Sequence, residues 1–284
     1  MKKILLASTM LVGTTGFAAA DVSLTGAAYV GGAYSWVTGG ATTGPVIDFR
    51  TSFRAGMMTT TDGGLEVGAG MVVLGPFFNM EKDPDDVDFG TYTAFSGITL
   101  AASNVYMSGE WGKVNVAYNS NADGASSTPG DWELTTTYTN TWGAFGVEVY
   151  GVWENNAVAT TNGDFGAKGT YSFGDYSVYV EYGYDANDGG AFSHNIGAGA
   201  SLAMSGFSAN ADVDYDLTNN AWGWHVDVGY ATGPYSVMAF LNDGLNYGVE
   251  GAYDLGGGVS IKAGYAGNQA TTTNAVYAGV SMAF

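Results

Sequence analysis

Few side chains in this sequence could act as a nucleophile or a general base. The chain has no cysteine and only two histidines, His194 and His225. His225 and Asp227 are two residues apart, so on a β-strand they would share one face, a spacing suited to acid–base catalysis. No G-x-S-x-G, H-E-x-x-H or phosphate-binding glycine loop followed by lysine occurs. A hydrolase using His225 with Asp227, or His194 alone, is therefore kept only as the alternative to a non-enzymatic protein.

The charged residues are few, and most of them are acidic. Charged residues make up 12% of the chain and apolar residues 46%, and 27 Asp and Glu stand against eight Lys and Arg. The formal net charge of −19 would repel the phosphate backbone of a nucleic acid. Nucleic acid is therefore excluded as a partner. So little charge cannot coat a soluble globule that is so rich in apolar residues.

The first 20 residues have the pattern of an export signal. Lys2 and Lys3 precede an apolar run that ends in Phe17-Ala18-Ala19-Ala20, the small residues that a signal peptidase reads. We predict a signal peptide over residues 1–20 and a single domain over residues 21–284. No second apolar run is long enough for a membrane-spanning helix. The domain is then either secreted or a membrane β-barrel.

The elements that must position the charged residues are β-strands. Apolar and polar residues alternate over stretches of about ten residues, the length of a tilted transmembrane strand. In one such stretch Val178 and Val180 share a face, while Tyr179 and Glu181 share the other. A soluble adhesin with two packed sheets is the alternative, but the strands lack the Lys and Pro that guard exposed edges.

We therefore predict an all-β fold, a closed antiparallel transmembrane β-barrel with short periplasmic turns. Sixteen strands fit the pattern best, and twelve or fourteen stay open because residues 75–105 are weakly patterned.

A short motif recurs about every 27 to 34 residues: a glycine, any residue, an aromatic and then Gly or Ser, as in Gly143-Ala144-Phe145-Gly146. The turn glycine of this motif is at 109, 143, 174 or 233, and a shortened form, Gly206-Phe207-Ser208, falls between the last two. The aromatic after each turn predicts a ring at the membrane interface. Trp111 breaks the phase and is expected in a turn or in the interior.

Three segments carry a family resemblance: Asp21-Val22-Ser23-Leu24-Thr25-Gly26, the hairpin from Val105 to Val114, and a last strand ending in Phe284. With the signal-like start, they resemble the general porins of Gram-negative bacteria, especially the alphaproteobacterial type, over the whole predicted domain. The resemblance implies a homotrimer in the cell outer membrane, in contact with lipid and lipopolysaccharide. It also implies a water-filled pore for passive diffusion of ions and small hydrophilic solutes, and recognition of the last strand by the barrel-insertion machinery. That signal comprises Val280, Met282 and Phe284.

The family's pore is narrowed by an inward-folded third loop, and this sequence departs from that feature. The connection over residues 120–130 is short for such a loop, and the one over residues 76–97 is about twice as long. Which loop narrows the pore therefore stays open.

The alternation also predicts which charged side chains line the pore. Arg50 and Arg54 share a face with Asp48, and an arginine on the lipid face would cost roughly 2–4 kcal/mol, so both should face inward and form a basic strip with Lys113. The predicted basic lining is Arg50, Arg54, Lys113, Lys168 and Lys262. The predicted acidic lining or constriction is Glu81, Asp83, Asp85, Asp86, Asp88, Glu148, Glu181, Asp212, Asp214, Asp227 and Glu250. This excess of acids predicts a preference for cations.

No cofactor is predicted. The segment Asp83-Pro84-Asp85-Asp86 could hold a structural Ca²⁺, although it lacks the spacing and the glycine of a calcium-binding loop.

Overall fold

The described residues form one β-sheet that closes on itself. A computed structural model describes residues 21–40, 42–74, 77–78, 94–95, 99–119, 132–155, 162–186 and 192–284. In these ranges the regular structure consists of strands and turns. No helix in the described ranges is long and apolar enough to span a membrane.

Eighteen strand segments follow one another along the chain. They are β1 (Asp21–Val37), β2 (Thr42–Thr60), β3 (Glu66–Leu74), β4 (Phe77–Phe78), β5 (Ala94–Phe95), β6 (Thr99–Gly109), β7 (Gly112–Asn119), β8 (Trp132–Trp142), β9 (Phe145–Asn155), β10 (Asn162–Phe173), β11 (Tyr176–Asp185), β12 (Ser193–Met204), β13 (Phe207–Asp216), β14 (Ala221–Thr232), β15 (Tyr235–Asn242), β16 (Asn246–Gly256), β17 (Val259–Asn268) and β18 (Thr273–Ala283).

The sheet is an antiparallel barrel in which each long strand pairs with its neighbours in sequence. β1 pairs with β2 on one side and with β18 on the other, where Val30 lies opposite Val280, so the barrel has no free edge. The two-residue segments β4 and β5 pair with each other, and β4 also pairs with β2. Since these two extend the ladder beside β3 and β6, the barrel has sixteen long strands. The sixteen-stranded antiparallel fold predicted from the sequence is confirmed.

The two faces of the wall follow the alternation of the sequence. On β14 the exterior face carries Trp222, Trp224 and Val226, and Trp222 is 66% exposed, whereas His225 and Asp227 face the interior. The few buried apolar side chains of the described residues face the interior and are mostly small, namely Ala33, Ala266, Ala275 and Phe240. The apolar residues therefore cover the outside of the barrel instead of filling a core.

Glycines with a left-handed backbone make the tight turns at one end of the barrel. Positive φ angles occur at the predicted turn glycines Gly143, Gly174 and Gly233, with φ of 61°, 64° and 54°. In the β6–β7 turn the positive φ belongs to Gly112 instead of Gly109, because the turn itself is Glu110-Trp111 and Gly112 begins the next strand. A side chain there would also collide with the backbone carbonyl of Thr139.

Aromatic side chains flank these turns on the exterior face, as the repeat predicts. Trp142 stacks on Phe145 across the β8–β9 turn with ring centres 6.3 Å apart, and Phe173 stacks on Tyr176 across the β10–β11 turn at 5.5 Å. Trp111 lies in its turn, one of its two predicted places, and its carbonyl accepts a hydrogen bond from the Tyr138 hydroxyl at 2.7 Å. These contacts fix the short-turn end of the barrel.

Candidate pore lining

A charged ladder crosses three neighbouring strands on the interior face. Lys168 on β10 lies between Glu148 on β9 and Glu181 on β11 in the hydrogen-bonding register. Its Nζ is 3.0 Å from Glu181 Oε2 and 3.6 Å from the ring centre of Tyr179. Both partners of the ion pair are more than one-third exposed, so water screens their attraction. One lysine in this ladder therefore lies between two carboxylates.

A second lysine is held by a less exposed carboxylate. Glu250 on β16 has a side chain that is 13% exposed, and its Oε1 is 3.3 Å from Lys262 Nζ. The hydroxyl of Tyr277 donates a hydrogen bond to the other carboxylate oxygen at 2.5 Å. This cluster spans β16, β17 and β18 and ties the last strands of the barrel together on the interior side.

The remaining predicted basic residues do not form one strip. Lys113 on β7 lies over the Tyr106 ring, with its Nζ 3.9 Å from the ring centre. Through β6 and β3 its register leads to Thr60, six residues from Arg54 along β2 and so about 20 Å away along the strand. Arg54 has its register partner at Thr25, and Arg50 at Tyr29. The same register places Arg54 level with Asn119 at the other end of β7, so Arg54 and Lys113 do not form the predicted strip.

The interior face of β13 and β14 is acidic. Asp212 and Asp214 lie on β13, and Asp227 lies on β14. Asn210 donates hydrogen bonds to both oxygens of Asp227, at 3.1 and 2.9 Å, and the Nδ1 of His225 is 3.4 Å from Asp212. Neither strand contains a lysine or an arginine. This part of the wall therefore carries carboxylates with no lysine or arginine of its own.

Aromatic rings on the interior face lie over glycines of the adjacent strand. Tyr179 on β11 is directly opposite Gly199 on β12, and a β-carbon at Gly199 would overlap the phenol ring. Within the described residues the same arrangement occurs at four more directly opposed pairs, which with the first we call the ring–glycine pairs: Tyr106 with Gly68, Tyr150 with Gly166, Phe240 with Gly248, and Tyr277 with Gly264.

Sequence reasoning did not identify these pairs. A signal was nevertheless present, because each of these aromatics occupies the polar phase of an alternating strand, as Tyr179 does between Ser177 and Glu181. The partner glycine could not be assigned without the register between strands.

A closed barrel with a polar interior and an apolar exterior is typical of membrane channels. A family model described as Gram-negative porin matches residues 7–281. The chain belongs to the Gram-negative porin family. This porin is an outer-membrane channel and not an enzyme, as the sequence predicts.

Solved structures agree with the fold of this porin. A variant of the Rhodopseudomonas blastica porin is 17% identical in sequence, with a TM-score of 0.65, and the match covers 93% of this chain and 100% of the other. A triple mutant of the same porin is 18% identical, with a TM-score of 0.64 and the same coverage. At these identities the likeness extends to the fold alone. No curated protein matches the chain.

The two histidines of the porin lie on opposite faces of its wall. His194 on β12 is on the exterior face, where its Nδ1 is 2.7 Å from the Tyr182 hydroxyl and its ring centre is 5.0 Å from that of Tyr184. His225 faces the interior beside Asp212. His225 and Asp227 share the interior face of β14, as predicted, but nothing observed supports the hydrolase alternative. The described residues also contain no group of three His, Asp or Glu side chains that could hold a metal ion.

The other predicted site residues fall into two groups. Val280 and Met282 on β18 lie on the exterior face of the porin, in phase with Phe284. The predicted constriction acids Glu81, Asp83, Asp85, Asp86 and Asp88 lie outside the described residues, as does the possible Ca²⁺ segment.

Proposed function

We propose that this porin is a general diffusion channel for ions and small hydrophilic solutes that favours cations over anions. The observation that carries the proposal is the acidic interior face of β13 and β14, with Asp212, Asp214 and Asp227 on strands that hold no lysine or arginine. Elsewhere Lys168 lies 3.0 Å from one carboxylate and Lys262 lies 3.3 Å from another. Nearby carboxylates thus offset the positive charges of these two lysines. On β13 and β14 no lysine or arginine offsets the negative charges of the three aspartates.

The physical basis is the concentration of counter-ions along a charged pore wall. Carboxylates lining a pore attract cations and repel anions, and low-dielectric walls focus their field into the water. Because water in the pore screens single charges, we expect a preference and not a strict exclusion of anions.

The reversal potential across a KCl gradient in a planar bilayer tests this proposal. We expect a potential of the sign that cation preference gives, and a smaller one when Asp212, Asp214 and Asp227 are all changed to Asn. Asp175→Asn is the control for loss of a carboxylate outside the acidic wall, since Asp175 lies in an exposed turn between β10 and β11. A wild-type preference for anions would overturn the proposal, and so would an equal potential in the triple variant.

We also infer that this porin is a homotrimer that is exported with residues 1–20 as a cleaved signal. Membership in the porin family supports both inferences, together with the lysine pair and apolar run at the start of the chain. Its exterior would contact lipid and lipopolysaccharide. The unboiled protein should migrate on a gel at the mass of a trimer, and its first residue after export should be Asp21. Migration as a monomer would contradict the trimer, and a retained Met1 would contradict cleavage.

A further inference from the structure

We propose that the ring–glycine pairs hold five interior rings flat against the wall and so keep the barrel open at their level, and that the conductance of the channel depends on Tyr106, Tyr150, Tyr179, Phe240 and Tyr277. In each pair the glycine has no side chain, and this leaves a recess over its backbone. The ring lies flat on the wall in that recess. The inference rests on the channel function of the family and is independent of the cation preference.

The first observation is that a recess is needed at every pair. A β-carbon at Gly166 would lie 2.5 Å from Cζ of Tyr150, and one at Gly264 would lie 2.6 Å from Cε1 of Tyr277. Carbon atoms in contact are normally about 3.5–4.0 Å apart. The rings therefore occupy the volume that any larger residue in place of these glycines would need.

The second observation is the low exposure of these rings although they face an open interior. Phe240 is 8% exposed, whereas Tyr235, on the exterior face of the same strand, is 60% exposed. The four interior tyrosines of the ring–glycine pairs are each partly buried. A ring that stood upright from the wall would show both of its faces to the pore. The low exposure indicates that one face lies against the backbone of the next strand.

The third observation is the distribution of the pairs around the barrel. They join β3 with β6, β9 with β10, β11 with β12, β15 with β16, and β17 with β18. Tyr29 on β1 adds a diagonal version, because its ring lies over Gly31 and Gly279. Rings lie flat on several sides of the pore, so tilting even one would reduce its open cross-section.

Tilting is the expected response to a methyl group in the recess. The backbone of a closed barrel is held by hydrogen bonds on both sides of each strand, whereas a tyrosine ring can rotate about its side-chain torsions. At Gly199 the colliding atoms all belong to the ring of Tyr179. Gly199→Ala should therefore turn the Tyr179 ring away from the wall and into the path of solutes.

The experiment is single-channel conductance of the purified full chain in planar bilayers, with wild type, Gly199→Ala, Tyr179→Ala and the double variant. We expect Gly199→Ala to lower the conductance and Tyr179→Ala to raise it. The double variant should match Tyr179→Ala, since the methyl group then has no ring to displace. This non-additivity identifies coupling between the two positions.

Gly146→Ala is the matched control, because Gly146 faces the interior and a β-carbon there would meet its nearest atom at 3.8 Å. Its conductance should equal that of wild type. The proposal is overturned if folded Gly199→Ala conducts like wild type, or if the two single effects add. If Gly199→Ala does not fold, Tyr179→Ala decides alone, and an unchanged or lower conductance overturns the proposal. Wild-type conductance steps in any of these outcomes leave the channel function intact.

Discussion

Phe284 lies over Gly26 at the seam where the last strand meets the first. The amide of Gly26 donates to the carbonyl of Phe284 at 2.8 Å, and the amide of Phe284 donates to the carbonyl of Gly26 at 3.0 Å. The phenyl ring occupies the space that a side chain at position 26 would take. The terminal aromatic therefore completes the ladder that closes the barrel, in addition to its predicted role in the insertion signal.

The first prediction concerns this seam. Gly26→Ala should slow folding into lipid vesicles and lower the folded fraction, because the methyl group displaces the ring while the two backbone hydrogen bonds hold Phe284 in place. The measurement is the share of protein that migrates at the mass of the folded trimer when the sample is not boiled. Gly251→Ala is the control, since its nearest contact would be a carbonyl oxygen at 3.9 Å. Equal folding of both variants would show that the ring does not matter to closure.

Much of the fold follows from the sequence, because lipid outside and water inside impose one simple alternation on every strand. Val178 and Val180 against Tyr179 and Glu181 identify a strand without knowledge of its neighbours. The turn glycines do the same for the hairpins. The two-residue strands β4 and β5 could not be predicted, because their place is set by pairing with β2 and with each other and not by a periodic pattern of their own.

The sequence predicts which side chains face the pore but not which of them contact one another. Alternation indicates that Lys168 and Glu181 face inward, yet their 3.0 Å contact depends on the register between β10 and β11. The same limit explains the failed basic strip, since two intervening strands separate Arg54 from Lys113 along the barrel. A register error of one residue exchanges the two faces of a strand, so single-strand patterns cannot give contacts between strands.

The second prediction compares two carboxylates of different exposure. Glu250→Ala should lower the free energy of unfolding by about 1–3 kcal/mol, because Lys262 and the Tyr277 hydroxyl lose an acceptor on a carboxylate that is only 13% exposed. Glu181→Ala should cost about 0–1 kcal/mol, because its pair with Lys168 is exposed to water. Urea unfolding in lipid vesicles gives both values. Equal losses would contradict the difference in burial as the cause.

The third prediction concerns selectivity in the charged ladder. Lys168→Gln should increase the cation preference, because Glu148 and Glu181 lose the positive charge that lies between them in the register. Glu181→Gln should decrease it. Reversal potentials in a KCl gradient measure both changes, and the wild-type reversal potential is the reference. Shifts of the same sign in the two variants would mean that charge in this ladder does not act on permeating ions.

The fourth prediction is that the cation preference falls as salt concentration rises. The screening length is about 10 Å at 0.1 M salt and about 3 Å at 1 M. At the lower concentration the field of Asp212, Asp214 and Asp227 extends well into the pore water, and at the higher one it is confined to ions that touch the wall. Reversal potentials at a fixed concentration ratio, measured at both mean concentrations, should therefore shrink toward zero in wild type. The variant with all three residues changed to Asn should show a weaker dependence on salt, because its remaining charges are fewer. A preference that is constant with salt would indicate selection by direct contact in a narrow passage instead of by the field of the acidic wall.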